Sequence, residues 1–174
     1  IAKTVNFSIV YGISDFGLAR DLGISVPEAH EYIAAYDERY SQVRAWLNDT
    51  IKKAYEDGFV ETMLGRRRYV PELKSANVNV RKFGERAAAN APVQGTAADL
   101  IKIAMVNIDA AFKKRELDAR LVLQVHDELL VEAAEADAAA AAEILQRLMC
   151  KAMELSVPLV AEVTMGQSWG EIKS

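Results

Sequence analysis

Two apolar runs, RLVLQV (120–125) and ELLVEA (128–133), are separated only by His126 and Asp127. Short runs of this composition read as strands, and parallel pairing would need a crossover of a dozen or more residues. An antiparallel hairpin is therefore the arrangement open to them, with His126 and Asp127 at its tip and Glu128 opening the second strand. Asn-Gly closes such a turn at little cost, so three titratable side chains there ask for a reason. An exposed, ionised Asp127 would offer the hard oxygen donors that suit Mg²⁺, an ion that shares its coordination with substrate phosphates. The alternative is that Asp simply favours turns and His fills an exposed position.

Most of the remaining chain reads as helix. IAKTVNFSIVYG ends at Gly12, and SDFGLARDLG runs from a Ser14 cap to Gly23. In SVPE (25–28) Ser25 and Glu28 form a capping box with Pro27 in the first turn, where its missing N–H does no harm. The long helix that follows is expected to break near Tyr40 and Ser41, to place Ile33, Tyr36, Trp46, Leu47 and Ile51 inside, and to stop at Gly58. FVETM and RYV flank LGRR, which predicts a second hairpin over 59–70. From Asn79 the pattern is helical until NAPVQGT (90–96), where Pro92 removes a donor and Gly95 loosens the backbone. The helix should kink or restart there, with Thr96 and Asp99 as a new cap and Leu100, Ile103, Ala104, Val106 and Ile108 continuing an amphipathic pattern to about Arg115. An alanine-rich helix is expected over 136–154 and a last strand in LVAEVTM (159–165). The sum is an α+β chain: a helical first part, then a small antiparallel sheet backed by helices, with a boundary between 70 and 80.

Composition narrows the class. At 174 residues and 51% hydrophobic content the chain can bury a core. No apolar run approaches the roughly 20 residues of a membrane span, and the single cysteine excludes an internal disulfide. A protein of a reducing, cytoplasmic compartment is expected. Ile1 falls within a helical pattern that no capping residue precedes, which suggests a piece of a longer chain. The net charge of -4 argues against indiscriminate binding to nucleic acid. Its distribution is uneven, since Arg66 to Arg86 holds seven Lys or Arg against two Glu, while Asp127 to Glu143 holds six acids and no Lys or Arg.

Two further sets carry candidate chemistry. Lys3, Phe7 and Tyr11 recur every four residues, so on a helix they share one stripe. A cation, an aromatic face and a phenol in that order could meet a triphosphate, a base or sugar, and a polar edge. Alternatively, Phe7 and Tyr11 are core and Lys3 snorkels past them, although Val5, Ile9 and Val10 already supply an apolar face. Arg86, Asn90 and Gln94 also recur every four residues, beside Ala87, Ala88, Ala89 and Ala91. Their donors suit minor-groove acceptors and sugars, or they form a polar stripe on a helix packed against another. Arg66 to Arg68 read as phosphate contacts of low specificity.

KTVNFSIVYG resembles the finger-helix motif of the family A DNA polymerases, the bacterial DNA polymerase I group. GRRRYVPEL, ERAAANAPVQGTAADLIK and LQVHDELLVE resemble three further blocks in the family's order, so the resemblance spans essentially the whole chain. It implies a fingers subdomain over 1–74 and the C-terminal part of a palm over 75–174. By the same resemblance Lys3 would neutralise the incoming triphosphate, Phe7 pack on the nucleotide's sugar and base, and Tyr11 lie near the templating pair. Arg86, Asn90 and Gln94 would contact primer and template, His126 the primer terminus, and Asp127 catalytic Mg²⁺, with Glu128 an acidic neighbour of lesser role. Primer-template DNA and deoxynucleoside triphosphates are the implied partners, and the intact enzyme would be a monomer. The family's other metal-binding carboxylate comes from an Asp-Tyr-Ser motif that this sequence does not contain, so the chain alone is expected to be inactive. Ser8 stands where the family usually has glycine, which puts activity and sugar selectivity in question. A non-catalytic nucleic-acid-binding module and a helical interaction protein are the competing readings.

Overall fold

The computed structural model describes residues 2–172, with side chains from Val5 onward. The chain forms two compact units, the first running to Gly95 and the second from Thr96. The boundary expected after residue 74 separates a fingers from a palm subdomain, which this division by packing does not test.

The first unit opens with α1 (Ala2–Val10), α2 (Asp15–Leu22), α3 (Val26–Arg39) and α4 (Ser41–Asp57). Local chemistry sets their ends. Ser14 Oγ accepts from the Gly17 amide at 3.2 Å, and Gly23 closes α2 at φ 69°. At α3 both halves of the capping box form, and the hydrogen bonds from Ser25 hold the Glu28 carboxyl below its ordinary value. The expected break falls at Tyr40, which is not helical, and Gly58 stops α4 at φ 79°. Leu18, Ala19 and Ala29 are buried together, with Val5 of α1 packed against them. The Tyr36 hydroxyl donates to the Asn6 side-chain carbonyl at 2.8 Å, a second tie between α1 and α3.

β1 (Phe59–Glu61) and β2 (Arg67–Tyr69) pair antiparallel as expected, and a 3₁₀ turn follows at Pro71–Lys74. Val60, Val70 and Leu73 pack with Ala54 of α4 and with Ala88 and Ala91 of the next helix, α5 (Val78–Lys114). Trp46, expected inside, is instead 44% exposed. The buried position of α4 is Ala54, whose small side chain lets the hairpin and α5 approach, and the turn bearing Val43 and Trp46 is left open.

α5 corrects a second expectation. It continues through Pro92, and Thr96 and Asp99 are buried within it, not capping a new start. The hydrogen bond lost at proline is outweighed by packing on both sides: Ala88 and Ala91 are buried in the first unit, Ala104, Ile108 and Phe112 in the second. Val106 leaves the apolar stripe and is 69% exposed.

In the second unit β3 (Ala119–Val125) and β4 (Glu128–Ala133) pair antiparallel, and α6 (Ala138–Cys150) covers one face. Leu121, Leu129 and Val131 pack on the cluster of Ala104, Ile108, Phe112, Ala141, Ile144 and Leu145. The pairing shifts between Leu121 and Leu123, a bulge that puts Leu123 opposite Leu130 on the other face. The α+β reading holds. α6 starts two residues later than expected, where the Asp137 carboxylate accepts from the Asp118 amide at 2.9 Å in the turn before the helix, and it ends four residues earlier, at Cys150. Residues 159–165 form no strand, which corrects the last expected element. Their burial does alternate, and Gln146 donates to the Ala161 carbonyl at 3.0 Å, but among the described residues no strand pairs with them. A four-residue helix, α7 (Trp169–Ile172), ends the described chain. No described helix is long and apolar enough to cross a membrane.

Candidate nucleotide and metal site

The α1 stripe is formed in part as the spacing predicts. Phe7 and Tyr11 are 48% and 47% exposed, with ring centroids 6.4 Å apart and planes within 14°. Ile9 is buried at 2%, and Val5 packs inward, so α1 spends one face on the fold and keeps its aromatic face in solvent. That outcome removes the core alternative for Phe7 and Tyr11. The Lys3 side chain lies outside the described residues. At the C-terminal end of α1 the Ile13 amide donates to the Ser8 carbonyl at 2.9 Å, and Gly12 takes φ 80°. This is a left-handed helix stop that glycine adopts without steric cost. Ser8 itself is half-buried.

Arg86, Asn90 and Gln94 lie on α5. Arg86 is exposed, and its aliphatic stem passes Gly12 closely enough that a side chain there would meet Arg86 Cγ at 3.4 Å. Asn90 and Gln94 line, with Tyr11, a cavity of about 430 Å³. Three residues selected from separate periodicities are thus brought to one place. Gln42, Val43 and Trp46 of α4 complete much of the wall, and sequence reasoning missed them as site residues. Apolar residues at i, i+3 and i+4 look the same whether they face a core or an open groove. Arg67 is held by Glu61 at 2.7 Å and lies over the Phe59 ring at 4.4 Å, a contact that ties it into its own hairpin.

In the second unit Val125 pairs with Glu128, which places His126 and Asp127 at the hairpin tip. All three titratable residues are exposed. His126 takes φ 54°, and its carbonyl accepts from Gln124 Nε2 at 2.8 Å. A positive φ costs a non-glycine residue roughly 1 kcal/mol, least for Asn, Asp and His. His126→Val should therefore lower the stability of the chain by about 1 kcal/mol, whereas His126→Gly should leave the urea midpoint nearly unchanged. Equal midpoints for the valine variant and the parent would contradict the strained turn.

The carboxylates of Asp127 and Glu128 supply the oxygen-only donors that Mg²⁺ prefers, and their exposure leaves room for the water that this ion retains. Among the described residues no group of three or more His, Cys, Asp and Glu is placed to hold a metal ion.

The model for DNA polymerase family A matches residues 1–171. DNA polymerase I of Caldicellulosiruptor bescii is 49% identical over 99% of this chain, and that of Bacillus subtilis 46% identical over the same share. The chain spans 20% of the length of each. Among solved structures, the POL domain of Pol1 from M. smegmatis, in complex with DNA primer-template and dNTP, superposes with a TM-score of 0.95 at 45% identity. That match covers 99% of this chain and 30% of the other. Agreement in sequence and in fold over nearly every residue leaves one conclusion: the chain belongs to DNA polymerase family A.

Proposed function

We propose that these residues form part of a DNA-templated DNA polymerase that adds deoxynucleotides to a primer 3'-hydroxyl, with residues 1–74 as fingers and 75–174 as palm. Family membership together with the exposed Phe7 and Tyr11 pair carries the reading. A helix that leaves two aligned rings in solvent while burying its opposite face is built to receive a flat partner.

In this reading Phe7 packs against the sugar and base of the incoming nucleotide, Tyr11 stands by the templating pair, and Lys3 neutralises the triphosphate. Arg86, Asn90 and Gln94 donate to primer and template, which fixes the duplex register. His126 lies near the primer terminus, Asp127 holds Mg²⁺, and Glu128 adds negative charge beside it. Mg²⁺, when bound, supplies positive charge against the oxygens of the reacting phosphate. The residues of this chain hold, orient and exclude water from the reactants, which accounts for most of the work in phosphoryl transfer. The intact enzyme acts as a monomer in the cytoplasm. The 174 residues alone do not extend a primer, because two-metal chemistry needs carboxylates beyond those of the hairpin tip.

The test is a graft. Placed in Bacillus subtilis DNA polymerase I in exchange for its matching segment, this chain should support Mg²⁺-dependent primer extension. Salt-sensitive duplex binding without extension would favour a non-catalytic binding module instead, and loss of both would refute the assignment.

A further inference from the structure

On a helix that turns about 100° per residue, Asn6 falls on the flank of α1 between the buried stripe of Val5 and Ile9 and the exposed stripe of Phe7 and Tyr11. Burial of Val5 and Ile9 holds α1 against its neighbours, but apolar contact has no direction and tolerates a roll of the helix about its own axis. A hydrogen bond is directional and resists that roll. The Tyr36 hydroxyl supplies one, donating to Asn6 Oδ1 at 2.8 Å from 30 residues away in sequence. The donor is itself packed. Tyr36 is half-buried, and its ring lies against that of Tyr40 with centroids 4.7 Å apart. Tyr40 is the non-helical residue at which α3 gives way to α4, so the phenol reaches α1 from the corner between those helices. Water would satisfy the hydroxyl of so exposed a bond, and burial therefore does not demand Asn6 as its partner. What the bond adds is a preferred roll of α1, and with it the direction in which Phe7 and Tyr11 face.

We infer that Tyr36 is a positioning residue for the nucleotide site: through Asn6 it holds α1 in the roll that presents Phe7 and Tyr11 to an incoming nucleotide. The identity of that ligand rests on the proposed polymerase function; the tether itself rests on geometry alone. Without the bond α1 samples other rolls, and a nucleotide must select the competent one, which weakens apparent affinity by the fraction lost. Once bound, the nucleotide meets the same side chains. The signature is a raised apparent Kd at an unchanged maximal rate, whereas a merely structural role would lower the active fraction.

In the polymerase grafted with this chain, Tyr36→Phe should raise the apparent Kd for a correct deoxynucleoside triphosphate about fivefold in single-turnover extension, as loss of one such bond allows. The maximal rate and the amplitude should stay within about twofold of the parent. Asn6→Leu, similar in size but unable to accept, should do the same, and the double variant should be no worse than either single one. In the 174-residue chain, Tyr36→Phe should speed hydrogen exchange of the α1 amides about fivefold and leave the helices around the buried Ala54 and Ile108 unchanged. An unchanged apparent Kd, additive effects of the two substitutions, or a fall in amplitude at unchanged Kd would overturn the inference. If the grafted enzyme extends no primer, the polymerase reading fails and exchange decides the tether: faster exchange confined to α1 upholds it, and unchanged or uniformly faster exchange refutes it.

Discussion

In the grafted polymerase, Asp127→Ala should reduce the rate of nucleotide addition by about three orders of magnitude or more, equivalent to at least about 4 kcal/mol of barrier. The side chain is exposed at the hairpin tip, so its removal leaves no buried gap, and a loss of that size is not expected from unfolding. Two measurements separate the proposed metal contact from a simple turn preference. Asp127→Asn keeps the shape and turn chemistry of aspartate but removes its charge, and it should lose nearly as much rate as alanine. The Kd for primer-template should change less than about threefold in both variants, because the carboxylate acts on the reacting phosphate and not on the duplex. Extension within about fivefold of the parent for Asp127→Asn would show that the tip does not hold the ion.

Gly95→Ala in the chain should lower stability by about 1–2 kcal/mol, although alanine is the better helix former by about 1 kcal/mol. A Cβ at Gly95 would lie 2.5 Å from Thr62 Cγ2. Thr62 has little freedom to retreat, since its Oγ1 accepts from the amides of Leu64 and Arg66 at 3.3 and 3.2 Å in the β1–β2 turn. Overpacking of this kind costs about 1–3 kcal/mol, which exceeds the propensity gain. The sign should reverse in a Thr62→Ser background. Serine keeps the oxygen that closes the turn and deletes the methyl, so there the same Gly95→Ala change should be neutral or stabilising by up to about 1 kcal/mol. Urea denaturation of the four chains measures the coupling, and additive midpoints would contradict the close approach of α5 to the hairpin.

What the amino-acid order determined by itself was chiefly local. Helix ends at Gly12, Gly23 and Gly58, the Ser25–Glu28 box and both hairpins depend on groups a few residues apart, and each formed where its residues predict. The exposed aromatic pair of α1 was legible too, because Val5 and Ile9 already claimed the inward face. Where partners distant in the chain decide, local reading failed. Pro92 and Gly95 look like a break, but burial on either side carries α5 through them. Alternation over residues 159–165 survives as half-buried Leu159, Ala161 and Val163 between exposed neighbours, yet a strand also needs a neighbour to bond with, and periodicity has no information about neighbours. Trp46 shares this cause: its apolar spacing marks a face of α4, and only the packing of the hairpin and α5 around Ala54 left that face lining an open cavity.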